Sequence, residues 1–170
     1  MTDPMDDPMA IEGEVHWELF AEDGTLKDEG WARNVVTQVG DQMYAERGAG
    51  IGTLAAPTGM KLGTGTTAAS KTGAGAGLVA YLANSHQAFD GGFPSSALAG
   101  ALRVITYKVS FGAGKATTAS AITEAVIVND VLADATTAVA ATVSRFILTG
   151  IGSKAATDTL TLTWTHTLGT

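Results

Sequence analysis

The sequence predicts a mainly β protein: an antiparallel β-sandwich or barrel-like domain with one α-helix at about 35–47. Three observations favour this fold. The chain is 45% hydrophobic but holds 21 glycines and only 6% aromatic residues, a composition typical of many turns and short strands. Apolar and polar residues alternate in several short runs. Turn-forming stretches separate those runs at regular intervals. We expect a flexible acidic arm at 1–12 and a single β-rich domain at 13–170.

The first predicted element is a β-hairpin in the stretch EVHWELFAEDGTLKDEGWARN. Its first strand alternates apolar and polar side chains, and Asp23-Gly24 has the chemistry of a hairpin turn. Asn34 follows as the predicted N-cap of the helix, which we expect to stop at Gly48.

Four further strands are predicted at 103–111, 121–130, 138–150 and 159–168. The last reads TLTLTWTHTL, with a threonine at every second position. Because successive side chains of a strand point to opposite faces, one face carries threonines and the other carries large, mostly apolar groups. The threonine face is either plain solvent surface or a polar packing surface against another copy. Within these strand patterns, three tryptophans are expected to anchor the core: Trp17, Trp31 and Trp164.

Two charged residues, Glu124 and Arg145, interrupt apolar strand patterns. A charge in such a position is costly unless it is paired. We therefore hypothesise a structural ion pair between Glu124 and Arg145 across neighbouring strands. A catalytic role for Glu124 would need a second acidic residue nearby, and the sequence indicates none.

Motifs for catalysis or cofactor binding are weak. The stretch GTTAASKT at 65–72 approximates a phosphate-binding loop, but it lacks the second glycine and precedes TGAGAG, which cannot begin a helix. The three histidines, His16, His86 and His166, lie outside any metal-ligand motif, and His166 is expected to be hydrogen-bonded in the core or at its rim. The sequence thus predicts no catalytic residue, no cofactor and no metal, and a protein that is not an enzyme.

The charge is distributed unevenly along the chain. Residues 1–30 contain ten of the 17 acidic residues and one of the ten basic residues. No Lys/Arg cluster indicates nucleic-acid binding, and no stretch is long and apolar enough for a membrane helix. The acidic arm is either solvated or a docking arm for a basic partner surface through Asp3, Asp6 and Asp7. A second candidate contact region is the loop at 84–96, which contains His86, Phe89, Asp90 and Phe93.

Six motifs follow one another along the chain: ARNVVTQVGDQMYAERG, MKLGTGTTAAS, VITYKVSF, AITEAVIVND, VSRFIL and DTLTLTWTHTL. Their order resembles that in small virion structural proteins of tailed bacteriophages. This group includes capsid decoration and head-fibre proteins as well as tail and baseplate appendages. The resemblance covers about residues 13 to 168, and no catalytic residues come with it.

The resemblance implies a virion protein, assembled in the host cytoplasm, that decorates and stabilises the capsid. It would bind itself and other virion proteins, above all the major capsid protein, and would bind neither nucleic acid nor membrane. Three-fold and quasi-three-fold capsid sites favour a homotrimer. The alternatives are a tail, collar or baseplate component, or a host-surface binding module that uses the 84–96 loop.

Overall fold

The computed structural model describes residues 11–52, 54–149 and 151–169, which form two five-stranded antiparallel sheets. The strands are β1 Glu12–Phe20, β2 Leu26–Arg33, β3 Val35–Val36, β4 Gly59–Gly63, β5 Gln87–Ala88, β6 Ser95–Ala99, β7 Leu102–Phe111, β8 Glu124–Val128, β9 Thr142–Ile147 and β10 Thr159–Leu168, and the helix is α1 Gln38–Ala49. The first sheet has the order β2-β1-β10-β7-β6, and the second has the order β3-β9-β8-β4-β5. The predicted mainly β fold is confirmed as a sandwich, since neither sheet closes into a barrel within these residues.

The core lies between the two sheets, where alternate side chains of the strands meet. On β10, Leu160, Leu162 and Trp164 are fully buried, whereas the threonines between them are half-exposed. From the second sheet, Phe146 packs edge-on against Trp164, with ring centroids 4.7 Å apart. The alternating pattern of 159–168 therefore predicts its burial correctly.

The helix begins and ends later than the sequence predicts. Its N-cap is Thr37, whose side chain accepts the Gly40 N–H at 3.2 Å, and its C-cap is Gly50, with a left-handed φ of 71°. The predicted caps Asn34 and Gly48 are wrong. The reason is that the residues after Asn34 first pair with β9 as the short strand β3, so the helix can begin only beyond them. Among the described residues, no helix is long and apolar enough to cross a membrane.

The second sheet is covered on both faces. Its inner face packs against the first sheet, and its outer face lies beneath coil segments that precede β5 and follow β8. Leu78, from one of these segments, packs on Val126 and Val128. As a result all five residues of β8 are buried. Charged residues on the outer side of β8 are therefore removed from water.

The β1–β2 hairpin forms as predicted, with Gly24 in its turn at a positive φ of 83°. Trp17 lies opposite Gly30 in the register, and its ring occupies the space where a residue with a side chain would place its Cβ. The prediction that all three tryptophans anchor the core is wrong for Trp31, which is 63% exposed. Trp31 pairs with His16, and this register directs both side chains to the outer face.

Gly30→Ala is expected to destabilise the protein by about 1–3 kcal/mol, because overpacking displaces core side chains. A Cβ at this position would come within 2.2 Å of the Trp17 ring. Urea unfolding followed by fluorescence measures the loss. Gly91→Ala is the matched control, since a Cβ there meets nothing within 4 Å, and equal stabilities of the two variants would contradict the packing argument.

Candidate functional site

Glu124 and Arg145 contact each other on the outer side of the second sheet. Arg145 donates to one carboxylate oxygen of Glu124 from Nη2 at 2.8 Å and from Nε at 3.2 Å. Both side chains are completely buried. Arg145 also donates from Nη1 to the Gly75 carbonyl oxygen at 3.1 Å. The arginine therefore binds a neighbouring strand and the coil segment above it at once.

The Glu124 carboxylate also holds the glycine-rich segment that follows β4. It accepts the backbone N–H groups of Gly65, Val79 and Ala80 at 3.0, 3.1 and 2.7 Å. A Cβ at Gly63 or Gly65 would approach the same carboxylate to 2.6 or 2.4 Å. The close approach therefore requires glycine at both positions. The hydrogen bonds of this buried carboxylate therefore hold the chain in position.

The stretch that approximates a phosphate-binding loop lies against the helix. Lys71 forms an ion pair with Asp41 in the first turn of α1, and the Lys71 carbonyl oxygen accepts the Gln38 N–H at 2.9 Å. The lysine that would contact a phosphate in such a loop is thus engaged with a carboxylate of its own chain.

His166 lies at the centre of a buried hydrogen-bond network between the sheets and the helix. Its Nδ1 lies 2.7 Å from the Tyr44 hydroxyl, which lies 2.7 Å from the Tyr107 hydroxyl. Its Nε2 lies 3.1 Å from the Asn34 amide nitrogen, which also contacts Ser144. Burial lowers the pKa of His166 to about 3 and raises the pKa values of both tyrosines. The imidazole is therefore neutral at physiological pH and joins β10, β7 and α1.

Sequence patterns do not reveal two buried lysines. Lys61 donates to the Ala135 carbonyl oxygen at 2.9 Å, and Lys154 donates to the Gly112 carbonyl oxygen at 3.0 Å. Lys61 alternates with core residues of β4, so it points away from the core. The coil segment that follows β8 covers it, however, and this cover is invisible in the strand pattern. Burial lowers the pKa of Lys154.

Two of the predicted contact residues in the loop at 84–96 bind their own chain. Phe89 packs on the Tyr107 ring at 5.3 Å, and the Asp90 carboxylate accepts the Ser110 N–H and hydroxyl at 3.0 and 2.8 Å. His86 and Phe93 are both half-buried. The other predicted contact residues, Asp3, Asp6 and Asp7, lie outside the described residues.

The outer face of the first sheet, which we call the threonine face, presents a different surface. It is lined by the alternate threonines of β10 from Thr159 to Thr167, by His16 and Glu18 of β1, and by Glu29 and Trp31 of β2. The rings of His16 and Trp31 stack with centroids 4.1 Å apart and planes at 20°. Sequence analysis missed this cluster, although the hairpin register set by Asp23-Gly24 would have placed Glu29 opposite Glu18.

The four sheet edges differ in how they are protected. β3 and β5 are only two residues long, and β2 carries four charged residues in the sequence LKDEGWAR. β6 has the sequence SSALA, without any charge, and all five of its residues are exposed. Because strand side chains alternate in direction, neither face of β6 is covered by the described residues. Leu98, in this strand, is 67% exposed.

No protein-family model, no curated protein and no solved structure matches the chain. Its function is therefore inferred from the geometry described above and from the resemblance of its motifs.

Removing one partner of the buried ion pair should be severe. Arg145→Met is expected to cost about 3–5 kcal/mol, since it leaves Glu124 charged and buried. Glu124→Leu removes the acceptor of Arg145 and of three backbone N–H groups, so the Gly65, Val79 and Ala80 amides should also exchange faster with solvent. Urea unfolding and hydrogen-exchange NMR measure these effects.

The double variant Glu124→Leu/Arg145→Met should lose less stability than the sum of the two single losses. Lys71→Met, which breaks an exposed ion pair, serves as the control and should cost under about 1 kcal/mol. Additive losses would refute the coupling. Unchanged exchange of the three amides in Glu124→Leu would refute the tethering of the glycine-rich segment.

Stability should fall with acidification between pH 6.5 and about 3 because of His166. Folded His166 stays neutral in this range while the unfolded chain takes up the proton, so the unfolded state binds more protons. The free energy of unfolding then decreases by up to about 1.4 kcal/mol for each unit that the pH falls. Urea unfolding at several pH values measures this slope in the wild type and in His166→Gln.

The slope should become shallower in His166→Gln and should persist in His86→Gln, which leaves the network intact. NMR of the wild-type imidazole provides a second readout, because a neutral ring has its own nitrogen shifts. An unchanged slope in His166→Gln, or a His166 ring that protonates near pH 6.5 in the folded protein, would contradict the burial argument.

Proposed function

We propose that this protein is a non-enzymatic structural subunit of a tailed-bacteriophage virion, a capsid decoration protein that self-associates and packs on the major capsid shell. The observation that carries the proposal is the uncharged, exposed edge strand β6. The resemblance of the motifs across residues 13 to 168 supports the virion class. A tail, collar or baseplate subunit would use the same surface.

An open edge strand presents unpaired N–H and C=O groups, and proteins that work as monomers usually protect such edges by shortness or by charge. In the part of the chain that the structure describes, three of the four edges carry one of these protections, and β6 carries neither. The chain has a net charge of −7, which opposes contact between copies. The absence of charge on β6 lowers that repulsion at this edge and so supports its use in self-association.

Leu98 is a large apolar side chain on this edge and is 67% exposed. Burying a leucine side chain against another copy would contribute about 1.5–3 kcal/mol per copy. Around a three-fold axis this contribution occurs three times, and a trimer fits the three-fold and quasi-three-fold sites of a capsid. The proposed assembly is therefore a homotrimer in which β6 lies at the contacts between copies.

Several buried ionisable groups support a structural role. Glu124, Arg145, Lys61 and Lys154 each bind backbone atoms of distant segments of their own chain. Such contacts hold coil segments on the sheets. This arrangement suits a subunit that reinforces a shell, because its surface segments keep their conformation when they contact neighbouring subunits.

A second candidate is a host-surface binding module, and Trp31 favours it. Its indole is 63% exposed and stacked on His16, an arrangement suited to stacking on a sugar ring. This version of the candidate would use the threonine face, whereas in the 84–96 loop Phe89 packs on Tyr107.

Light scattering during size-exclusion chromatography tests the self-association. The wild type should elute as a trimer, and Leu98→Lys should shift it to monomer by placing a charge on the contact edge. The matched control is Leu26→Lys, which introduces the same change at a 44% exposed leucine on the charged edge β2, and it should remain trimeric.

A monomeric wild type would contradict the assembly proposal and favour the binding module. A dimer would retain the β6 contact and reject the three-fold arrangement. A trimer that persists in Leu98→Lys would indicate that the copies contact each other through a surface other than β6. A cryo-EM map of the parent phage particle would then separate a capsid position from a tail position.

A further inference from the structure

We propose that His16, Glu18 and Glu29 form a binding site for a divalent transition-metal ion such as zinc, on the threonine face of the β1–β2 hairpin. The sequence predicts no metal ligands, and the site arises only when the hairpin brings the three residues together. The proposal does not depend on the virion role, because it concerns a single copy of the chain.

The three side chains converge on one point of the sheet. His16 and Glu18 are two residues apart on β1 and share a face, and Glu29 lies directly opposite Glu18 on β2. A carboxylate oxygen of Glu18 lies 3.9 Å from Nδ1 of His16, and a carboxylate oxygen of Glu29 lies 3.9 Å from Nε2, the other ring nitrogen. One ligand atom from each residue can be chosen such that all three lie within 4.8 Å of one another.

The electrostatics of the hairpin favour a cation at this point. Like charges directly opposite each other in a sheet destabilise it, and Glu18 and Glu29 are such a pair. On the same face, Glu14 and Arg33, which lie beyond the pair His16 and Trp31, have opposite charges. Within the described chain, neither Glu18 nor Glu29 forms an ion pair with a lysine or arginine. A bound dication would neutralise this repulsion and connect the two strands, because both carboxylates would bind it.

The donor set selects the class of metal. One imidazole nitrogen with two carboxylate oxygens suits zinc and its transition-metal neighbours, whereas magnesium and calcium prefer oxygen alone. Ligands at 2.0–2.2 Å from a tetrahedral ion lie roughly 3.4 Å apart. One ligand atom from each residue starts within 4.8 Å of the other two, and the glutamate side chains, which are partly exposed, can close to this spacing by rotation. Stacking on Trp31 holds the imidazole in place, and the fourth position stays open to solvent.

Trp31 provides a direct readout for the test. Ni²⁺ bound to His16 would lie beside the stacked indole and quench its fluorescence, whereas the indoles of Trp17 and Trp164 are buried. Titration of the full chain with Ni²⁺ should give saturable quenching, and calorimetry with Zn²⁺ should give one site per chain. His16→Gln should lower both affinities by at least about tenfold, and Glu18→Gln and Glu29→Gln should each weaken them.

His86→Gln is the matched control. His86 lies 3.8 Å from a single carboxylate, that of Asp134, so its loss should leave both affinities unchanged. Mg²⁺ at the same concentrations should produce no saturable signal. Circular dichroism confirms that each variant is folded.

Quenching that rises linearly without saturation, or Zn²⁺ binding that survives His16→Gln, would overturn the proposal. Affinity that depends on His16 but on neither glutamate would also overturn it, since one exposed histidine would then account for the binding. Wild-type chain that binds no Zn²⁺ would reject the metal site.

Discussion

The carboxylate of Glu124 is the contact on which the covering of the second sheet depends. Removing such a charge from water costs several kcal/mol, and a single partner seldom offsets that cost. Here Arg145 and three backbone N–H groups surround it. Because those N–H groups belong to the glycine-rich segment after β4, satisfying the charge also closes the outer face of the sheet with coil. Leu78 can then pack on β8. Among the described residues, no such coil segment covers the threonine face.

Local patterns in the sequence account for much of this fold. The strand predicted at 159–168 coincides with β10, and the Asp23-Gly24 hairpin forms where its turn chemistry places it. Alternation and turn residues act over a few positions, so they can be read from a short window. The convergence of Glu124 and Arg145 follows from the same logic, since charges in two apolar strands need each other.

The features that sequence analysis missed depend on pairing between distant segments. Asn34 cannot begin the helix, because the residues after it pair with β9, more than 100 positions away. Lys61 alternates with core residues as a surface residue would, and only the coil after β8 makes it buried. Trp31, Glu18 and Glu29 face solvent together because of the hairpin register. Assigning these positions requires the strand partners, which composition and periodicity do not specify.

The central place of β10 in the first sheet has a consequence for biosynthesis. β10 pairs with β1 on one side and with β7 on the other, although most of the chain separates it from β1. During translation the β1–β2 and β6–β7 hairpins emerge from the ribosome long before the strand that joins them. Until then both would expose apolar flanks, a condition that invites aggregation and slows folding. Until residues 159–168 emerge, the nascent chain would therefore need chaperones that cover these flanks or rapid synthesis that shortens their exposure.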